Sequence, residues 1–99
     1  MSVDAGRPTG AFRPIWNWFG YDEPNYTTLP EGRALLADLA ALHHGPVYVR
    51  VHSLLTSGDG TAALKWGSTG VYDEDAAGRP THSWSVLDGI FDAFVEDGP

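Results

Sequence analysis

The chain has 99 residues and no cysteine, with 42% hydrophobic and 19% charged residues, the composition of one small folded domain rather than a disordered segment. Six basic residues against thirteen acidic ones leave a net charge of −7, which repels phosphate backbones and anionic lipid surfaces, so neither nucleic acid nor a membrane is an expected partner. The absence of cysteine excludes a disulfide framework and thiolate metal sites, and no segment has the apolar length of a signal peptide or a membrane span, so a cytoplasmic protein is the expectation.

Residues 1–14 carry Gly6, Pro8, Gly10 and Pro14 and read as an irregular leader. The aromatic run "IWNWFG" follows, giving a strand over Ile15 to Phe19 that ends at Gly20. "YDEPNYTTLP" reads as a loop. Beyond it Leu35, Leu36, Leu39 and Leu42 fall at helical spacing, with Glu31 suited to the positive end of the helix dipole and Gly45-Pro46 as the stop. In "VYVRVHSLL", Val47, Val49 and Val51 alternate with Tyr48, Arg50 and His52, the clearest strand pattern in the chain. The polar stretch "TSGDGTAALKWGSTGVYDEDAAGRP" is too long for an ordinary connection, and Ala63 to Trp66 with Gly70 to Tyr72 suits a small hairpin within it. From Ser83 the periodicity is helical again, with Val86, Leu87, Ile90, Phe91, Phe94 and Val95 as one apolar stripe and Asp88, Asp92 and Glu96 opposite. Strand, helix, strand, loop and helix in this order predict an α/β fold with parallel strands and crossover helices. Two strands alone leave both sheet edges open, so the pattern reads as part of a larger fold.

The adjacent Asp22 and Glu23 invite a two-carboxylate reading, but neighbours in an extended segment point to opposite sides and cannot converge on one glycosidic bond. Arg50 and His52 are more informative, because a charged and a titratable residue share one face of an apolar strand close to its carboxyl end, where parallel α/β folds bind ligands. The competing reading is structural, with Arg50 paired to a carboxylate and His52 a hydrogen-bonded core histidine. Trp16, Trp18, Tyr21, Tyr26, Trp66 and Tyr72 cluster near the loops, and such rings stack on the apolar faces of sugars; Trp84, at a helix start, reads as core. His43 and His44 are adjacent at a helix end and do not chelate one metal well, so no metal site is expected. No phosphate loop, dinucleotide fingerprint or nucleophile elbow is present. Asn25-Tyr26-Thr27 fits the glycosylation sequon by chance.

In order and spacing, "NWFGYDEPNYT", "YVRVHSLLTSGDG", "LKWGSTGVYDEDAAGRP" and "WSVLDGIFDAF" resemble the amino-terminal part of glycoside hydrolase family 39, the family of β-xylosidases and α-L-iduronidases. The resemblance runs from about Phe12 to Pro99. It implies a partial (β/α)8 TIM barrel, the first two βα units only, in residues 15–99. It also implies retaining hydrolysis of O-glycosidic bonds by two glutamates on the fourth and seventh strands, with no cofactor. Both glutamates would then lie beyond Pro99, no residue here would be catalytic, and the 99 residues would be inactive alone. The resemblance assigns Arg50 and His52 to the sugar-binding face of the second strand, and Trp18, Asp22, Trp66 and the "SGDG" loop to its rim. Three positions depart from the pattern: asparagine is more usual where Ser53 and Gly70 stand, and a basic residue where Gly89 stands. A stand-alone, non-catalytic carbohydrate-binding or interaction domain is the alternative.

Overall fold

The computed structural model describes residues 1–13, 15–61 and 68–97. Strand β1, Trp18–Tyr21, runs into a 3-10 helix over Pro24–Thr28, which hands the chain directly to helix α1, Pro30–Ala41. Strand β2 covers Tyr48–Val51, β3 Tyr72–Glu74, β4 Pro80–His82, and helix α2 Ser85–Asp97. β1 and β2 pair in parallel with Trp18 opposite Tyr48 and Tyr21 opposite Val51, and β3 and β4 form an antiparallel hairpin. The two parallel strands are joined through α1.

Both boundaries of the first strand differ from the sequence reading. β1 lies three residues later than Ile15 to Phe19, and Ile15 and Trp16 are exposed. Pairing decides this: the Tyr48 amide donates to the Asn17 carbonyl, the Asn17 side chain donates to the Pro46 carbonyl, and these bonds anchor the start of the ladder at residues 17 and 18. Gly20 lies within the strand rather than ending it, because its partner Arg50 spreads a guanidinium over the space a side chain would fill. In the long loop a hairpin forms between Tyr72–Glu74 and Pro80–His82, while the expected pairing of Ala63 to Trp66 lies outside the described residues. Asp75 organises its turn, with Oδ1 accepting from the Ala77 and Arg79 amides, while Gly78 takes the left-handed conformation that closes it.

The core is not centred on the parallel sheet. Its apolar members are Leu36, Val71, Leu87, Ile90 and Ala93, and Pro24 and Thr69 are fully buried beside them. α2 supplies three of these at three-residue spacing and packs them against the 3-10 helix and α1. α1 comes so close to the 3-10 helix that a methyl group on Gly32 would overlap the Tyr26 carbonyl. Arg33 on α1 ties the far end of α2 by ion pairs to Glu96 (2.7 Å) and Asp97 (3.0 Å). The α2 stripe faces inward only at its centre, leaving Phe91 and Val95 in water. Trp84, read from sequence as core, is 49% exposed and stacks on His82, because α2 begins at Ser85 and Trp84 only accepts its first-turn bond from Asp88.

Dimensions follow from that small core. The radius of gyration is 18.8 Å and the longest extent 71 Å, whereas a compact chain of this length has a radius of about 13 Å.

Candidate functional site

Alternation along the two parallel strands sorts their side chains into two sets. Phe19, Tyr21, Val47 and Val49 face α1, and with Leu35, Leu36 and Leu39 they line an apolar cleft of about 350 Å³. The opposite face carries Trp18 and Gly20 from β1 and Tyr48 and Arg50 from β2, with Asp22 and His52 in the same alternation just past the strand ends. Nothing among the described residues covers this face, and Trp18, Tyr48, Arg50, Asp22 and His52 are all exposed.

The two ends of that face differ. At the amino ends of the strands the Trp18 and Tyr48 rings stack with centroids 4.5 Å apart. At the carboxyl ends the Arg50 guanidinium crosses β1 toward Asp22, with Nη1 3.9 Å from Oδ1. Gly20 permits that path, since a methyl group there would lie 3.0 Å from Nη2 and 3.1 Å from Nε. With side chains 61% and 73% exposed, the Arg50 and Asp22 pair is worth no more than about 1 kcal/mol. Its value is therefore chemical: a guanidinium, a carboxylate and, two residues beyond Arg50, an imidazole gather on one open surface. His52 also extends the ladder, its amide donating to the Tyr21 carbonyl at 3.2 Å.

Of the five residues singled out from sequence, Arg50 and Asp22 come together, and His52 follows Arg50 by two residues at the same strand exit. Trp18 does not join them; four residues separate it from Asp22, about 13 Å along an extended strand. Trp66 lies outside the described residues. Glu23, discarded with Asp22 as a catalytic pair, turns away from the Arg50 face and lines the apolar cleft, and its Oε2 is shielded from water without a hydrogen-bond partner. In the "SGDG" loop, Asp59 accepts from the Thr61 amide, which holds its carboxyl below the usual carboxylate range. Tyr21 is pushed the other way by burial, its hydroxyl staying protonated more firmly than usual while it bonds Thr27. Sequence reasoning missed the buried polar residues Asn25, Thr27 and Thr69: the first two stand in the polar stretch "YDEPNYTTLP" and the third in "GSTG", and neither context marks them as buried.

Among the described residues there is no cluster of three or more histidine, aspartate or glutamate groups suited to a metal ion. No helix among them is long and apolar enough to cross a membrane. In comparisons with known proteins, no family model, curated protein or solved structure matches the chain.

Proposed function

We propose that residues 15–99 are the amino-terminal part of the barrel of a retaining glycoside hydrolase similar to family 39, a xylosidase-like enzyme of the cytoplasm acting on O-glycosidic bonds. The observation that carries this reading is the open sheet face, where the carboxyl ends of two parallel strands gather Arg50, Asp22 and His52. Ligands of parallel α/β folds bind at that end of the strands. A (β/α)8 barrel usually takes about 250 residues, and a two-stranded parallel sheet with both edges open and one face bare is the kind of element that further strands complete.

Two backbone angles add independent support. Ser53 and Gly70, the two positions where the family pattern favours asparagine, have φ of +53° and +64°. Asparagine is the residue type, after glycine, that adopts this left-handed region most readily. At both positions the pattern therefore names a residue that the backbone geometry tolerates.

In the complete enzyme, one glutamate would protonate the leaving oxygen while a second, about 5 to 5.5 Å away, attacks the anomeric carbon. Neither belongs to this chain. Arg50 would brace the nucleophile, and His52 and Asp22 would take sugar hydroxyls. No cofactor is needed. The sequon at Asn25 suits a protein that does not meet the glycosylation machinery, since its side chain is buried with both amide hydrogens donated.

Reading the gene beyond codon 99 tests the proposal directly. An in-frame continuation containing an Asn-Glu-Pro strand, and loss of xylosidase activity on Arg50→Ala in that longer protein, are the expected results. A stop codon at that point excludes the intact enzyme. A cooperative melt together with calorimetric sugar binding by the 99 residues alone would favour the stand-alone binding domain instead.

A further inference from the structure

Asn25 is 4% exposed and Thr69 1% exposed, and polar side chains that far from water are retained only when their hydrogen bonds are met. Here they are met entirely by the long loop. Asn25 Nδ2 donates to the Gly60 carbonyl at 2.8 Å and to the Ser68 carbonyl at 2.7 Å, and Oδ1 accepts from the Ser68 amide at 2.9 Å. Thr69, the next residue, donates its hydroxyl to the Leu54 carbonyl at 2.7 Å, and the Thr69 amide donates to Thr56 Oγ1 at 2.9 Å. The Val71 amide then donates to the Thr56 carbonyl at 2.8 Å. Residues 68–71 are thus held on one side by the 3-10 helix and on the other by residues 54–56.

The placement of these partners gives the arrangement a purpose. Asn25 stands three residues after Asp22, and Leu54 two residues after His52. The β1–β2 ladder runs out at the bond from the His52 amide to the Tyr21 carbonyl. Past that bond the two segments separate, one into the 3-10 helix and one into the long loop, and among the described residues no direct backbone pairing rejoins them. Residues 68–71 bridge the gap.

We infer that Asn25 and Thr69 form a polar latch that clamps the long loop between the two strand exits and so fixes the spacing of the carboxyl ends of β1 and β2. The latch makes Asn25 and Thr69 positioning residues for the surface bearing Asp22, Arg50 and His52. It stands whatever ligand that surface takes, so its failure and the failure of the glycosidase reading are separate outcomes.

Backbone amide hydrogen exchange on the whole chain tests it. In the unaltered protein the Ser68 and Thr69 amides should exchange as slowly as the Asp88 amide in α2. Asn25→Ala and Thr69→Val should each speed exchange at Ser68 and Thr69 by about tenfold or more, and speed it at His52, while Tyr48 at the other end of the ladder and Asp88 change little. Thr69→Ser, which keeps the hydroxyl, should behave like the parent. Free-peptide exchange at Ser68 and Thr69 in the unaltered chain overturns the latch. So does a rise in the Asn25→Ala or Thr69→Val protein that is equal at Asp88, or no rise at all; where either variant does not fold, the comparison of the unaltered chain with Thr69→Ser still decides.

Discussion

The two halves of this chain are built from similar apolar content and reach opposite states. Around α2, the 3-10 helix and residues 54–56 and 68–71, a small core forms: Ile90 and Ala93 are wholly buried, and the side chains of Asn25 and Thr69 are hydrogen-bonded inside. Around β1 and β2, no strand residue is buried, although Phe19, Val49 and Val51 are as apolar as anything in the core. The difference lies in what each half has to pack against. A helix with one apolar stripe is covered by two neighbours, while a parallel sheet needs cover on both faces and further strands at its edges. The packed half can hold itself together; the sheet half borrows its order from the ladder and from the latch beside it.

Substitutions should expose that asymmetry. The largest effect is expected at Ile90, which has no exposed surface: Ile90→Ala should lower stability by about 2–5 kcal/mol, whereas Val49→Ala, at a half-buried strand site, should cost about 1 kcal/mol or less. Urea titration followed by circular dichroism measures both, and equal losses would erase the distinction between the halves. Gly32 comes next, and there two effects of opposite sign compete. Glycine to alanine inside a helix ordinarily gains up to about 1 kcal/mol. Here the new methyl would lie 1.8 Å from the Tyr26 carbonyl oxygen, which belongs to backbone and cannot swing aside. Overpacking of this kind costs about 1–3 kcal/mol, so Gly32→Ala should destabilise the protein, and the loss should fall on the contact of α1 with the 3-10 helix.

The same asymmetry explains what could be read in the sequence. Helices and the alternating strand were legible because their periodicities are local: α1 and α2 lie within two residues of their expected starts, and β2 falls inside "VYVRVHSLL". The strand at Trp18–Tyr21 was misplaced because its limits are set by pairing with residues thirty positions away and by the Arg50 guanidinium lying over Gly20. Trp84 reads as core from its aromatic character but is half exposed, because such a ring is buried only where an element is there to cover it. At the candidate site, the shared parity of Arg50 and His52 was legible, while the approach of Asp22 to Arg50 and the distance of Trp18 from them required the register. The latch was illegible, since nothing local distinguishes Asn25 and Thr69 from solvated loop residues. Their partners lie 43 and 15 positions away.

A smaller effect, of favourable sign, is expected at Ser53, which links the sheet half to the loop. A non-glycine residue without an asparagine-like side chain pays about 1 kcal/mol to hold φ near +53°. Ser53→Gly and Ser53→Asn should therefore raise the melting temperature, and Ser53→Val should lower it, with Ser53→Asn the informative variant. A gain there would show that the backbone favours asparagine at this position. No gain would show that the left-handed backbone at residue 53 costs serine no more than asparagine.

The smallest effect concerns the β3–β4 hairpin, which owes its turn to one carboxylate. Asp75 is held below the ordinary value of 3.8, first by the Arg79 amide, then by the Ala77 amide, with the Arg79 side chain adding to them. A depressed carboxyl binds its proton less readily in the folded state, so its contribution is complete above pH 3.8 and is lost as the pH falls through the lower, folded value. Because the group is exposed, the loss should be local. Hydrogen exchange at the Gly78 and Arg79 amides should quicken below that pH while the amides of α2 stay protected, and Asp75→Asn should blunt the dependence by removing the charge. If instead α2 opens at the same pH, the hairpin and the packed half form one cooperative unit, and the boundary between the halves must be drawn around β1 and β2 alone.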